Sequence, residues 1–163
     1  MGNTLPLTSK FRAQTKALPA FSLSDHNRVR RSLDTLMGPE GMLLGFIGDI
    51  WRPISINRIL TMQKEASKLA ARGLSVAIVI RGRVNTLTNF IINTPVPVTL
   101  PLLADPDGMV QATYRTHMSP GLLLIDHGHV LRYKWLNSGD TLWPSLNDVL
   151  NAAADSIRSR SLL

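Results

Sequence analysis

Three polar side chains at three-residue spacing, Asp49, Arg52 and Ser55, sit in the segment LLGFIGDIWRPISINRI (Leu43–Ile59), where the chain concentrates its possible chemistry. An apolar run ends at Ile47, a tight stretch Gly48–Arg52 follows, and Pro53 suits the first turn of a helix, where its missing N–H costs nothing. A strand feeding a helix through a short loop puts the helix's first free N–H groups at the carboxyl edge of a sheet, where anions are favoured. The same position depresses the pKa of any thiol placed there. The 163 residues contain no cysteine, which excludes a disulfide framework, a thiolate zinc site, a thiol nucleophile and a dithiol redox pair. Arg52 has no nucleophilic lone pair at neutral pH. Ser55 could attack an acyl carbon only with a general base beside it, and no histidine is near in sequence. A cation at a helix start is itself unfavourable by a few tenths to ~1 kcal/mol. Two arrangements stay open: an anion site formed by Arg52, the Ser55 hydroxyl and backbone N–H groups, or an Arg52 directed to solvent and paired with Asp49.

The other candidate groups are weaker. Of the histidines (His26, His117, His127 and His129), the last two flank a hairpin signal beside Asp126, and strand alternation would put their imidazoles on one side. Two or three ligands on a turn do not make a zinc site, so we read a solvated turn and expect no metal. Asp105 and Asp107 with Gly108 lack the further acidic ligands and closing Glu of a calcium loop and read as a turn with Asx bonds. Lys and Arg number 18 against 11 acids, for a net charge of +7. Arg28, Arg30 and Arg31, Arg81 and Arg83, and Arg158 and Arg160 form separate groups, and no aromatic side chains interleave with them as base-stacking platforms. We therefore read scattered solvated charge and keep a nucleic-acid-associated module as an alternative only.

Hydrophobic patterning supplies the scaffold. Leu18–Leu23 is extended, and Ser32 with Leu33, Leu36 and Met37 makes a helical turn closed by Gly38-Pro39. Met42–Ile47 and Leu74–Ile80 are continuous apolar runs, as for strands buried on both faces. Between them Ile56, Ile59, Leu60, Ala66, Leu69 and Ala70 form a helical stripe interrupted at Gln63 and stopped by Gly73 as a left-handed cap. A weaker helix covers Val84–Asn93. Leu100–Ala104 is a short strand, Met109–Arg115 a short helix, and Leu122–Asp126 with His129–Trp135 a hairpin. Ser145 and Asp148 form a capping box for a last helix through Leu146, Val149, Leu150, Ala153 and Ile157. Strands alternating with helices predict an α/β layer fold with a mixed sheet. The longest apolar runs fall well short of the roughly 20 residues of a membrane span, and no secretory signal is evident. Met1-Gly2 resembles a myristoylation start, but Pro6 stands where that motif needs Ser or Thr.

The ordered set of motifs is similar to a known family. Phe46–Ser55 resembles the active-site loop of the thioredoxin-like peroxiredoxins, the alkyl hydroperoxide reductase/thiol-specific antioxidant (redoxin) family. In that family's Trp-Cys-Pro-x-Cys form the cysteines would fall on Arg52 and Ser55, while Trp51 and Pro53 match. Pro19–Leu23 looks like the family's opening strand, Gly73–Val79 like its second strand, and Pro101–Gly108 followed by Tyr114 like its Pro-Leu-Leu-x-Asp-x-x-Gly…Tyr stretch. Ser119–Asp126 looks like the cis-proline loop and its strand, and Val130–Trp135 like the closing strand. The likeness spans roughly residues 18–157. Asp49 departs from the family's Thr or Ser three residues before the nucleophile, and Pro120 stands where many members carry an arginine.

The resemblance implies a thioredoxin-like α/β fold, a central mixed β-sheet with helices on both faces. Residues 1–17, with Lys10, Arg12 and Lys16, are expected to be a flexible basic leader and 18–160 a single domain. The expected function is that of a redoxin-family protein without its catalytic cysteines and without thiol peroxidase activity, acting as a binding or structural relative. Degenerate positions would be Asp49, Trp51, Arg52, Pro53 and Ser55, and a small anion or peptide would bind through Arg52, Ser55, Ser119 and Pro120. No cofactor, metal or membrane partner is expected, nucleic acid is not favoured, and a cytoplasmic monomer or homodimer is the default. The alternative within the same pocket is an oxidoreductase-type enzyme working without thiols, with Ser55 or Arg52 polarising the substrate.

Overall fold

Every residue of Gly41–Ile47 is buried, and the rest of the architecture follows from how that is achieved. The computed structural model describes residues 17–114, 121–136 and 143–161, the last five as backbone only. In chain order the elements are β1 (Leu23–Ser24), β2 (Arg30–Arg31), α1 (Leu33–Leu36), β3 (Gly41–Ile47), α2 (Pro53–Ala70), β4 (Leu74–Ile80), α3 (Val84–Asn93), β5 (Leu102–Ala104), α4 (Met109–Thr113), β6 (Gly121–Asp126), β7 (Leu131–Leu136) and α5 (Leu146–Ser161). Five strands form one sheet in the order β5-β4-β3-β6-β7. β3 lies at its centre, parallel to β4 from Gly41↔Leu74 to Ile47↔Ile80 and antiparallel to β6 from Gly41↔Asp126 to Phe46↔Gly121.

Strand alternation sorts β3 into two cores. Leu43 and Ile47 pack with Ile59, Met62 and Leu69 of α2, Leu87 and Phe90 of α3, and Val149 and Ala153 of α5. Met42, Leu44 and Phe46 face the other way, onto Leu33 and Leu36 of α1, Phe21, Leu23 and Tyr114. Burial on both faces is why the run is apolar throughout rather than alternating. Tyr114 sits edge-on to Phe21, centroids 6.1 Å apart, and its hydroxyl donates to the Pro19 carbonyl, which fastens the opening segment to this face.

Local signals set most boundaries. Pro53 occupies the start of α2, and Gly73 lies just past its end at φ +78°. Gln63, the polar break in the α2 stripe, accepts from Thr99 N (2.8 Å) and Leu100 N (3.1 Å) and donates to Thr99 Oγ1 (3.0 Å). It ties the helix to the segment that leads into β5. Ser145 and Asp148 cap α5 reciprocally, as their spacing requires.

Three details differ from the sequence reading. The extended opening continues into a two-residue ribbon, β1 against β2, because the buried Asp25 carboxylate gathers the N–H groups of Asn27 and Val29 and folds the chain back. The Asp126–Val130 connection is a turn with His129 at φ +67°, so strand alternation does not govern the two histidines. His127 is exposed, whereas His129 Nε2 lies 3.0 Å from Asp34 Oδ1 of α1 and is not simply solvated. Asp105 is buried and caps α4 by accepting from Val110 N (3.3 Å) and Gln111 N (3.0 Å), a longer reach than an Asx turn.

Two measurements check this packing. At Gly73 a Cβ would meet Glu40 Cγ at 2.7 Å in a left-handed backbone, so Gly73→Ala should cost about 1–2 kcal/mol, read as a lower urea midpoint. Burial lowers the His26 pKa below its ordinary 6.5, against a partial upward pull from Asp25, and its Nδ1 accepts from Leu102 N. The unfolded chain therefore takes up this proton at a higher pH than the folded one. Stability should be complete above about pH 6.5 and fall as the pH drops through the folded value. His26→Asn should flatten that limb of urea midpoint against pH.

Candidate functional site

The site begins where β3 ends. The Ile47 carbonyl receives two donors, Arg81 N at 3.0 Å and Gln111 Nε2 at 2.9 Å, so the loop Gly48–Arg52 departs from a pinned atom. Ile50 is buried and anchors the loop from inside. Asp49 organises the backbone: its Oδ1 accepts from Trp51 N at 2.9 Å and its carbonyl from Arg52 N at 3.4 Å. Arg52 is the N-cap residue of α2 and makes no side-chain cap. The first bond of the helix runs from Ile56 N to the Arg52 carbonyl at 3.0 Å. Pro53 brings no N–H, which leaves those of Ile54 and Ser55 as the backbone donors of the helix mouth.

The side chains lie at different depths. Arg52 and Pro53 are exposed on the rim. Trp51 is 49% exposed and meets the buried Phe90 of α3 edge-on, centroids 5.9 Å apart. Ser55 is 4% exposed, so its hydroxyl is below the surface that Arg52 occupies. Asp49, Trp51, Arg52, Pro53 and Ser55 are thus gathered into one loop and one helical turn, with the arginine and the serine not level. Ser119 and Pro120, and with them the cis-proline expectation, lie outside the described residues, as do His117 and the side chains of Arg158 and Arg160.

The histidines described here are occupied elsewhere: His26 with Leu102, His129 with Asp34, and His127 on the exposed turn. Among the described residues no three acidic or histidine side chains are grouped to hold a metal ion. Gln111 was not marked by any sequence signal, because a buried glutamine on a five-residue helix declares itself only through the carbonyl it reaches. Near the same sheet edge, Arg81 lies over Gly108, whose Cβ would be 3.3 Å from Arg81 Nε at φ +68°.

The AhpC/TSA family profile matches residues 15–134. Among solved structures, the chain is similar to peroxidoxin BcpB from Mycobacterium tuberculosis, at TM-score 0.71 and 17% identity, covering 91% of this chain and 98% of that one. It is likewise similar to the reduced 2-Cys peroxiredoxin of Plasmodium vivax, at TM-score 0.77 and 16% identity, with the same coverage. No curated protein matches the chain in sequence. The architecture is the thioredoxin-like fold, a mixed sheet with helices on both faces. The chain belongs to the AhpC/TSA family, and it does so without a single cysteine.

The helix mouth should still act on a thiol placed in it. In Arg52→Cys the introduced sulfur lies at the N-cap, close to the Ile54 and Ser55 N–H groups, and should titrate below the ordinary ~8.5. Thiolate absorbance against pH measures this; a midpoint at or above the ordinary value would show that the mouth exerts no such field. In Ser55→Cys the buried thiol should alkylate more slowly than that of Arg52→Cys.

Proposed function

We propose that this protein is a non-catalytic member of the AhpC/TSA family that binds a small anion, or the acidic end of a peptide, at the mouth of α2. The observation that carries the reading is the pairing of a thiol-free chain with a cation at the N-cap of the helix that follows the Trp51 loop. A nucleophilic attack on an O–O bond needs a lone pair at this position, and a guanidinium has none to give. The helix start and Arg52 are both positive, so an anion placed between them is favoured by both. In this reading Arg52 supplies charge-assisted hydrogen bonds, Ile54 and Ser55 offer backbone N–H groups, and the half-exposed Trp51 covers the apolar part of the guest. Ser119 and Pro120 belong to the proposal as the facing loop that the family resemblance implies.

The reading treats residues 18–160 as the binding domain and the cytoplasm as its compartment, with a monomer or homodimer as the working unit. No helix among the described residues is long and apolar enough to cross a membrane. A thiol-free enzyme using Ser55 is disfavoured by the 4% exposure of that residue. A nucleic-acid role would rest on the net charge of +7 alone.

Two experiments test the proposal. Hydroperoxide consumption with dithiothreitol or thioredoxin as reductant should not exceed the buffer background; catalytic turnover would overturn the non-catalytic reading. In an NMR titration with phosphate or acetate, the amides of residues 51–56 should shift saturably, and Arg52→Ala should weaken binding by roughly tenfold or more. No shift in that segment at millimolar anion would remove the binding site. Steeply salt-dependent retention on DNA would instead favour the nucleic-acid reading.

A further inference from the structure

Three exposed arginines from two distant segments meet at one corner of the fold, beyond the carboxyl ends of β4 and β5. Arg81 leaves β4, and Arg83 is the N-cap residue of α3 two positions on. Arg28 comes from the loop after β1, where the sequence groups it with Arg30 and Arg31 instead. That loop is fastened here twice. His26 Nδ1 accepts from Leu102 N at 3.3 Å, and Arg28 Nη2 donates to Asn85 Oδ1, in the first turn of α3, at 2.7 Å. The Arg81 side chain runs across Gly108, where a Cβ would stand 3.3 Å from its Nε.

The charge at this corner is uncompensated. Arg31 pairs with Asp25 and Arg132 with Asp126, and Arg30 is bonded to the Ser22 and Ser24 hydroxyls. Among the described residues, Arg28 meets a neutral amide, and none of Arg28, Arg81 and Arg83 makes an ion pair. No acid stands in the first turn of α3. Outside the described residues the sequence holds a single acidic side chain, Asp140. A second copy of the chain would bring its own net charge of +7. The complement this surface selects is therefore an acidic molecule of another kind.

Its surroundings narrow the class. Val29, 51% exposed, follows Arg28, and Met109, 67% exposed, follows Gly108. Apolar side chains beside cations suit a protein partner, and methionine adapts to varied apolar surfaces. Nucleic acid would call for exposed aromatic rings on which bases stack, and none is among these residues. Spacing fits an extended guest. Two residues of chain span at most about 7 Å, which bounds the separation of the Arg81 and Arg83 backbones, and alternate side chains of a strand repeat at about that distance.

We propose that this corner docks an extended acidic segment of another protein. Carboxylates at alternate positions meet Arg81, Arg83 and Arg28, and apolar residues at the ends of the segment rest on Val29 and Met109. The surface is separate from the α2 mouth and does not depend on what binds there.

The test uses the full chain and the peptide acetyl-Leu-Asp-Ser-Asp-Ser-Asp-Leu-amide, followed by NMR. The amides of residues 82–85 and of Gly108 should shift saturably, and about 1 M salt, with a Debye length of about 3 Å, should abolish the shift. The same peptide with Asn for each Asp should leave these amides in place. Arg28→Gln and Arg83→Gln should each weaken binding roughly three- to tenfold. Arg72→Gln, which removes the same charge from the exposed far end of α2, should leave it within about twofold. An equal loss in Arg72→Gln would show attraction to net charge alone and overturn the proposal. Tighter binding of a thymidine oligonucleotide of equal charge at the same amides would overturn it too, as would no saturable shift at millimolar peptide. Shifts confined to residues 51–56 would overturn it while leaving the α2-mouth reading intact.

Discussion

A strand with no solvent face governs this molecule. β3 is hydrogen-bonded on both edges and covered on both sides, so it needs two layers of apolar cover. The chain supplies them by sending α2, α3 and α5 to one face, and α1, Phe21 and Tyr114 to the other. Because each residue of β3 points into one core or the other, a shift of register by one would exchange the two sets. The end of the strand is consequently a fixed point. Ile47 accepts from Arg81 on the neighbouring strand's exit and from Gln111 of α4, and the loop that aims α2 begins one residue later. The precision of the helix mouth is inherited from the sheet.

The residue at the start of α2 can therefore vary without disturbing this framework. The side chain at position 52 is exposed at an N-cap and lies in neither core, so its identity has little effect on the packing of the fold. The local field, by contrast, is made by the backbone of α2 and remains whatever side chain stands there. A thiolate in that field is stabilised, whereas the field by itself does not favour a guanidinium. A cation at this position has the charge opposite to the one the helix start favours. Position 55 is different, since its side chain is buried, and the small Ser55 hydroxyl fits there.

The strands and helices were readable because their signals are local and of one kind. The runs Gly41–Ile47 and Leu74–Ile80, the stripe of α2, the Gly73 stop and the Ser145–Asp148 box each report a backbone preference or a buried face. The loop at Asp49–Ser55 was readable as a helix start for the same reason. Side chains whose role lies in a distant partner were not. In sequence Gln63 only breaks an apolar stripe, and the Thr99 and Leu100 amides that it binds lie on a distant segment. Asp105 looked like a turn residue and caps α4, while His129 looked solvated and meets Asp34 across the surface.

By itself, then, the amino-acid order determined that there would be a doubly covered sheet, a helix opening at Pro53, and no thiol to react there. Those are properties of single segments and of composition, which need no knowledge of neighbours. Only the tertiary structure decided that Arg52 sits on the rim while Ser55 is sunk, that Ile47 is held by two donors, and that Trp143 lies on Gly45 beneath Arg58. Each of these depends on segments far apart in the chain, and its geometry exists only once the sheet has brought them together.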